Sequence, residues 1–280
     1  MLHGPPGPIT TTLRRRVRVN FGHPGHSIEG KGCNGYAGLP AMHGWGTHYD
    51  IEVTCAGPVD PRVGYLVDIK EIDRAVRSAV IPLIAESRAR SIPSNPGELL
   101  PRLASALSDE LLGRLQSLRI HLSPYYSVEV HMNTAASISP RVLIRQKLDF
   151  AASHRLHAPH LSPEENRRLF GKCNNPNGHG HNYQIEPCVA VSLGADGLQR
   201  FTLADLERIT DAALIEPFDH KYLNEDTAEF ATGTGVNPSV ENIAMVFFNI
   251  LAPHIQAAGN AELVSLTVWE TDRTSSTYPG

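Results

Sequence analysis

The sequence predicts an α+β fold built twice, as two tandem modules that each carry a short antiparallel sheet with two amphipathic helices on one face. Three observations predict it. Runs such as Leu13 to Phe21 (LRRRVRVNF) and His48 to Cys55 (HYDIEVTC) alternate apolar and polar residues, the period of a half-buried strand. Asp68 to Ile84 places Ile69, Ile72, Ala75, Val76, Ala79 and Val80 at helical spacing. The second half then repeats the order of the first: HYDIEV at His48 lies against NYQIEP at Asn182, and DIKEIDR at Asp68 against TLADLER at Thr202, both 134 residues apart.

The elements follow in order. Residues 1 to 12 (MLHGPPGPITTT) have neither a charged start nor an apolar core and are expected to be a flexible lead-in, not a secretory signal. The first module is expected over 13–135. Its first helix starts at Asp68, an N-cap with Glu71 three residues on. Its second begins near Asn95 and carries Pro101 in its first turn, and Ser117 to Leu122 with Ser127 to Met132 close the module as a hairpin. The second module is expected over 141–280, with strands at Leu143 to Ala152, Asn182 to Leu193 and Leu263 to Trp269, and helices at Thr202 to Ile215 and Ser239 to Ile255. NPGE at Asn95 answers NPSVE at Asn237, and SLRIHL at Ser117 answers SLTVWE at Ser265, at larger offsets.

Composition narrows the class. The chain has 280 residues, 41% hydrophobic and 19% charged, with a net charge of −4, so nothing suggests a basic nucleic-acid surface. No apolar run approaches the length of a membrane span. Cys33, Cys55, Cys173 and Cys188 show no paired spacing, which points to reduced thiols and a cytoplasmic setting.

The chemistry concentrates in the second module. His179 and His181 are two apart, so on a strand they share a face, and His154 ends another alternating run. Three imidazoles without a fourth protein ligand make the open coordination of a catalytic zinc ion. Cys173 stands six residues before His179 in a turn-rich segment and can approach that open position as a base, nucleophile or ligand. Asp219 and His220 are adjacent, and Glu270 ends an apolar strand where a carboxylate needs a partner. That partner is either a cationic side chain or a ligand presenting two parallel donors.

FAASH before Arg155, FGKCNNPNGHGHNY at Phe170 to Tyr183, PFDHKYLN at Pro217, NPSVENIA at Asn237 and VWETD at Val268 resemble the 6-pyruvoyltetrahydropterin synthase family, in order and at fitting intervals. The resemblance runs from about Val142 to Tyr278. It implies the tunnelling fold, in which modules join edge to edge into a barrel with sites at the joins, and hence a homo-oligomer. It also implies a lyase that converts 7,8-dihydroneopterin triphosphate to 6-pyruvoyltetrahydropterin with loss of triphosphate. In that reading His154, His179 and His181 hold Zn2+, Cys173 is the base, Asp219 and His220 relay protons to it across a subunit boundary, and Glu270 grips the pterin. One alternative is 6-carboxytetrahydropterin synthase of the queuosine route, although the five residues NNPNG between Cys173 and His179 resemble the pyruvoyl branch. Another is a non-catalytic pterin-binding barrel.

The first module is expected to be degenerate. Trp45 and Thr47 fall where His179 and His181 stand, Leu122 falls opposite Glu270, and no Asp-His pair follows Pro82. His23, His26, His43, His48 and Cys33 match no ligand pattern.

Overall fold

The computed structural model describes residues 10–22, 38–42, 45–90, 94–132 and 140–280. His23, His26, Cys33 and His43 lie outside the described residues. The chain is a mixed α+β structure that divides into two compact units, one of residues 1–144 with 192–199 and one of 145–191 with 200–280. Among the described residues no helix is long and apolar enough to cross a membrane.

In the first unit, β1 (Thr10–Phe21), β2 (Thr47–Pro58), β3 (Leu115–His121) and β4 (Tyr126–His131) form an antiparallel sheet in that order. The first strand starts three residues earlier than the sequence suggests, because Thr10 to Thr12 pair with Ala56 to Pro58. The register sorts the side chains. Val17, Ile51, Ile120 and Val128 form one buried row, and Val53, Leu118 and Val130 continue the same face. Arg15 also lies on that face, where it makes a two-pronged ion pair with Asp73 at 2.9 and 2.7 Å and so pins α1 (Ile69–Ala75) over the sheet. The other face carries an in-register row of alternating charge, Arg16, Glu52, Arg119 and Glu129. Burial alone would push Glu52 up, but Arg16, Arg119 and Arg14 outweigh it and hold the carboxyl below its ordinary range.

After α1 the helix loosens into a π segment, Val76–Val80, before α2 (Ile81–Arg88). Pro82 explains the break: it has no N–H for the carbonyl four residues back, and the wider π turn absorbs the mismatch. α3 (Pro96–Glu110) begins at Pro96, so Pro101 sits in its second turn and not its first. The helix tolerates it by burying Leu100, Leu103, Ala104 and Leu107.

β5 (Arg141–Gln146) and β6 (Leu148–His154), expected as one strand, are interrupted at Lys147. In the second unit β7 (His179–Ser192) runs between β6 and β9 (Ala261–Thr271), and β9 pairs onward with β10 (Thr274–Tyr278), an edge strand that the polar TSSTY run does not announce. α4 (Pro163–Phe170) is also unanticipated, though its signal is in the sequence: Ser162 and Glu165 form a complete capping box. α5 (Leu203–Thr210) again opens into a π segment, Asp211–Ile215, followed by α6 (Glu216–Phe218) with Pro217 at its start. The two-residue β8 (Lys221–Tyr222) runs parallel to β6, and α7 (Leu223–Asp226) follows it. α8 (Val240–Ala257) is capped by Ser239.

The two units share internal geometry. Ile51 pairs with Ile120 in one and Ile185 with Val268 in the other, and the ladder slips at Thr54/Cys55 in the first and at Cys188/Val189 in the second. These positions correspond at the offsets noted above. Among the described residues the sheet of neither unit closes on itself.

The core of the second unit is aromatic. Phe247 of α8 is fully buried and lies 4.7 Å from Phe218, 5.4 Å from Phe150 and 6.5 Å from Phe230, ring to ring. Phe247→Ala is expected to cost about 3–5 kcal/mol. Urea unfolding followed through Trp269 fluorescence measures it, since Trp45 is 96% exposed and changes little on unfolding.

Candidate functional site

The core face of the second sheet ends in histidines. Phe150, Ala152 and His154 on β6 share a face, as do His179, His181, Tyr183 and Ile185 on β7, because side chains alternate along a strand. The register sets His154 directly opposite His179, and Ala152 opposite His181. The ligand nitrogens of His154, His179 and His181 all lie within 4.8 Å of one another, with Nε2 of His154 3.2 Å from Nε2 of His179.

The surroundings fit a metal ion. Nδ1 of the fully buried His154 donates to the Pro238 carbonyl at 2.6 Å, which leaves Nε2 without a proton and free to ligate. Nε2 of His181 is buried with no hydrogen-bond partner. Burial, together with the neighbouring His179 and His181, holds the His154 pKa down to about 4. Burial likewise lowers His181 despite the opposing charge of Glu270. Imidazoles kept neutral at pH 7 are the protonation state that a cation requires.

Glu270, near the end of β9, reaches this cluster. Its Oε1 is 3.4 Å from Nε2 of His154 and 3.6 Å from Nε2 of His181, so the carboxylate faces the ring nitrogens. The hydroxyl of the buried Tyr183 lies 3.3 Å from Nδ1 of His154, and burial with the charges of Glu270 and Cys173 pushes it well above the usual tyrosine range. Cys173 is half-buried in a 3₁₀ turn, Gly171–Asn174, tied to the chain leaving His154: the Cys173 carbonyl accepts from Leu156 N–H at 2.9 Å, and Asn174 Nδ2 donates to the Leu156 carbonyl at 2.7 Å.

Asp219 and His220 form a pair. Asp219 accepts from Ala151 N–H at 2.8 Å and from Nδ1 of His220 at 2.7 Å, and these bonds hold its carboxyl below the usual range. His220 has a left-handed backbone (φ 56°), held by its N–H to the Ala151 carbonyl, and its side chain is 83% exposed. Among the described residues His220 makes no hydrogen bond to Cys173, and the relay expected from the resemblance runs across a subunit boundary.

Several supporting residues escape a reading by motif. Asn224 bonds both the N–H and the carbonyl of Arg155, and so fixes the exit from His154. The fully buried Asn166 bonds Ala158, Leu161 and Ser162. Gly178 has φ 70°, and a Cβ there would stand 2.8 Å from the Tyr222 ring, so this glycine, more than Gly180, is required for the turn into β7. NPSVENIA contributes the Pro238 carbonyl, a backbone role that no side-chain pattern signals.

Residues 143–280 match the family model described as 6-pyruvoyl tetrahydropterin synthase. A 6-pyruvoyl tetrahydrobiopterin synthase of Homo sapiens is 38% identical over 137 residues, covering 49% of this chain and 90% of that protein. A 6-carboxy-5,6,7,8-tetrahydropterin synthase of Haemophilus influenzae is 26% identical over 125 residues, 39% of this chain and 84% of that one. A solved structure of Caenorhabditis elegans 6-pyruvoyl tetrahydropterin synthase is 31% identical, covers 50% of this chain and 96% of that chain, and has a TM-score of 0.45. Through its second half the chain belongs to the 6-pyruvoyl tetrahydropterin synthase family, and its first half lies outside every family match.

The low His154 pKa has a consequence for the metal-free protein. The unfolded histidine takes up a proton near pH 6.5, and the folded one only near pH 4, so protons favour unfolding in between. Stability is expected to fall by about 3 kcal/mol as pH drops through that window, with no further loss from this group below it. Urea unfolding of chelator-treated protein at pH 7, 5.5 and 4, with His154→Gln as reference, checks the slope.

Proposed function

We propose that the chain is a zinc-dependent 6-pyruvoyltetrahydropterin synthase, a lyase acting on 7,8-dihydroneopterin triphosphate. The observation that carries this reading is the convergence of His154, His179 and His181 on one face of the sheet, with the Cys173 turn bonded to Leu156, in a stretch of 137 residues 38% identical to a synthase of that name. His154, His179 and His181 would hold the ion, and zinc bound there supplies Lewis acidity toward the hydroxyl oxygens of the substrate side chain.

The protein's own groups divide the remaining work. Cys173, as thiolate, removes a proton from the substrate side chain, and the triphosphate departs with its bonding electrons. The Asp219 carboxylate fixes the tautomer of His220 through Nδ1, leaving Nε2 to exchange protons with the thiol or the substrate. Glu270 accepts from the ring N–H and amino group of the pterin. Internal hydrogen shifts complete the change, so no nicotinamide or flavin enters.

His220 points to solvent and bonds Asp219 and Ala151 but not Cys173, which fits a relay completed by a second copy. We therefore read the protein as a cytoplasmic homo-oligomer of tunnelling-fold modules, 13–135 and 141–280, whose open sheets join edge to edge with sites at the joins. The shared register, ladder slip and π segment support two copies of one module, the first without the chemistry.

Zinc-loaded protein incubated with 7,8-dihydroneopterin triphosphate, with products followed by mass spectrometry, is expected to give 6-pyruvoyltetrahydropterin. A 6-carboxy product with acetaldehyde would move the protein to the queuosine branch, and no turnover with zinc bound would favour a binding role. Cys173→Ala is expected to lower turnover by about 10²–10⁴-fold. Its zinc content, measured by atomic emission, should stay unchanged, and undiminished turnover would remove the thiol from the mechanism.

A further inference from the structure

The first unit holds a cleft of about 240 Å3 that no part of the proposed synthase chemistry uses. Its floor is apolar, with Tyr49 from β2, Ile120 and Leu122 at the end of β3, Ile84 from α2, and Leu99 and Leu103 from α3. Its rim is polar and basic.

The rim groups are not equivalent. Arg90 is paired with Glu86 at 3.0 Å, and the hydroxyls of Ser87 and Ser94 lie 3.2 Å apart. Arg88 differs from both. Its guanidinium lies 4.9 Å from the centroid of the Phe21 ring, and its Nη1 is buried with no hydrogen-bond partner. Among the described residues no carboxylate pairs with it. A guanidinium N–H shielded from water and lacking an acceptor is a place where an anionic oxygen is held well. The first turn of α3 forms one wall through Pro96, and its carboxylate Glu98 is occupied at the helix start by Nδ2 of the N-cap Asn95 at 3.3 Å, so Arg88 is the group that would hold an anion.

Size and lining define the rest of the ligand. A cavity of about 150 Å3 accommodates benzene, so this one fits a single ring bearing a carboxylate. At the offsets noted above, Tyr49, Pro96 and Leu122 correspond to Tyr183, Pro238 and Glu270. The cleft therefore stands where the second unit has its histidine cluster, with a leucine in place of the carboxylate that would accept from an amino-substituted ring. We propose that this cleft is a second ligand site, for a small organic anion with an apolar body of about one ring and a single carboxylate held by Arg88. The site does not depend on the synthase reading.

Titration calorimetry of the full chain with phenylacetate, and with its neutral isostere phenylacetamide, tests it. Saturable binding of the acid is expected, at least tenfold tighter than that of the amide. Arg88→Gln, at the half-buried end of α2, should abolish that preference, and Leu99→Trp should block the cleft, both with unchanged circular dichroism. His179→Ala in the other unit should bind phenylacetate as the parent does. The proposal is overturned if phenylacetate shows no saturable binding, if acid and amide bind equally, if Arg88→Gln or Leu99→Trp changes nothing, or if His179→Ala removes the binding.

Discussion

The bond from Nδ1 of His154 to the Pro238 carbonyl is the interaction on which the site depends. It connects the end of β6 to the residue just before the cap of α8, and it is made by a ring with no exposure to water. A buried imidazole needs its N–H satisfied, and meeting that need fixes both the ring plane and the nitrogen left to ligate. The arrangement around it serves the same end. Asn224 holds both backbone groups of Arg155, the Cys173 turn bonds Leu156, and Tyr183 closes the ring's remaining side. Each of these contacts restricts where the cluster of nitrogens can go.

The cost of such a site is electrostatic. Three imidazoles within 4.8 Å of one another cannot all be charged, and burial depresses His154 and His181. Glu270 is the counterweight, its carboxylate facing two of the three rings. The same carboxylate is the residue we assign to the pterin. Because burial keeps those rings neutral, the carboxylate finds its favourable partner in a cation or in a ligand that presents donors.

The first unit uses the same register and the same break in its helix for a different surface. Its outward row, Arg16, Glu52, Arg119 and Glu129, is a charge ladder in which each side chain meets opposite sign across the strand. At the end where the second unit carries histidines, the first offers Tyr49, Leu122 and an arginine that, among the described residues, has no carboxylate partner. A matching strand register therefore carries histidines in one unit and apolar side chains with an arginine in the other, and a handful of side chains make the difference.

What the sequence determined by itself is whatever depends on local periodicity. Alternation over HYDIEV and NYQIEP specifies strands, and the spacing of His179 and His181 specifies a shared face, because a strand repeats every two residues. The capping boxes at Ser162 and Thr202 specify helix starts, each written in four consecutive residues of the sequence. The tertiary structure alone decided what rests on contacts between distant segments. Which residue stands opposite His154, which carbonyl takes its N–H, where Glu270 points, and that Gly178 more than Gly180 is constrained are set by register and packing over as many as 116 residues of separation, from His154 to Glu270. The π segments fall between these cases. Pro82 and Pro217 signal a disturbance, but a missing N–H can kink, end or widen a helix, and only packing against the sheet selects which.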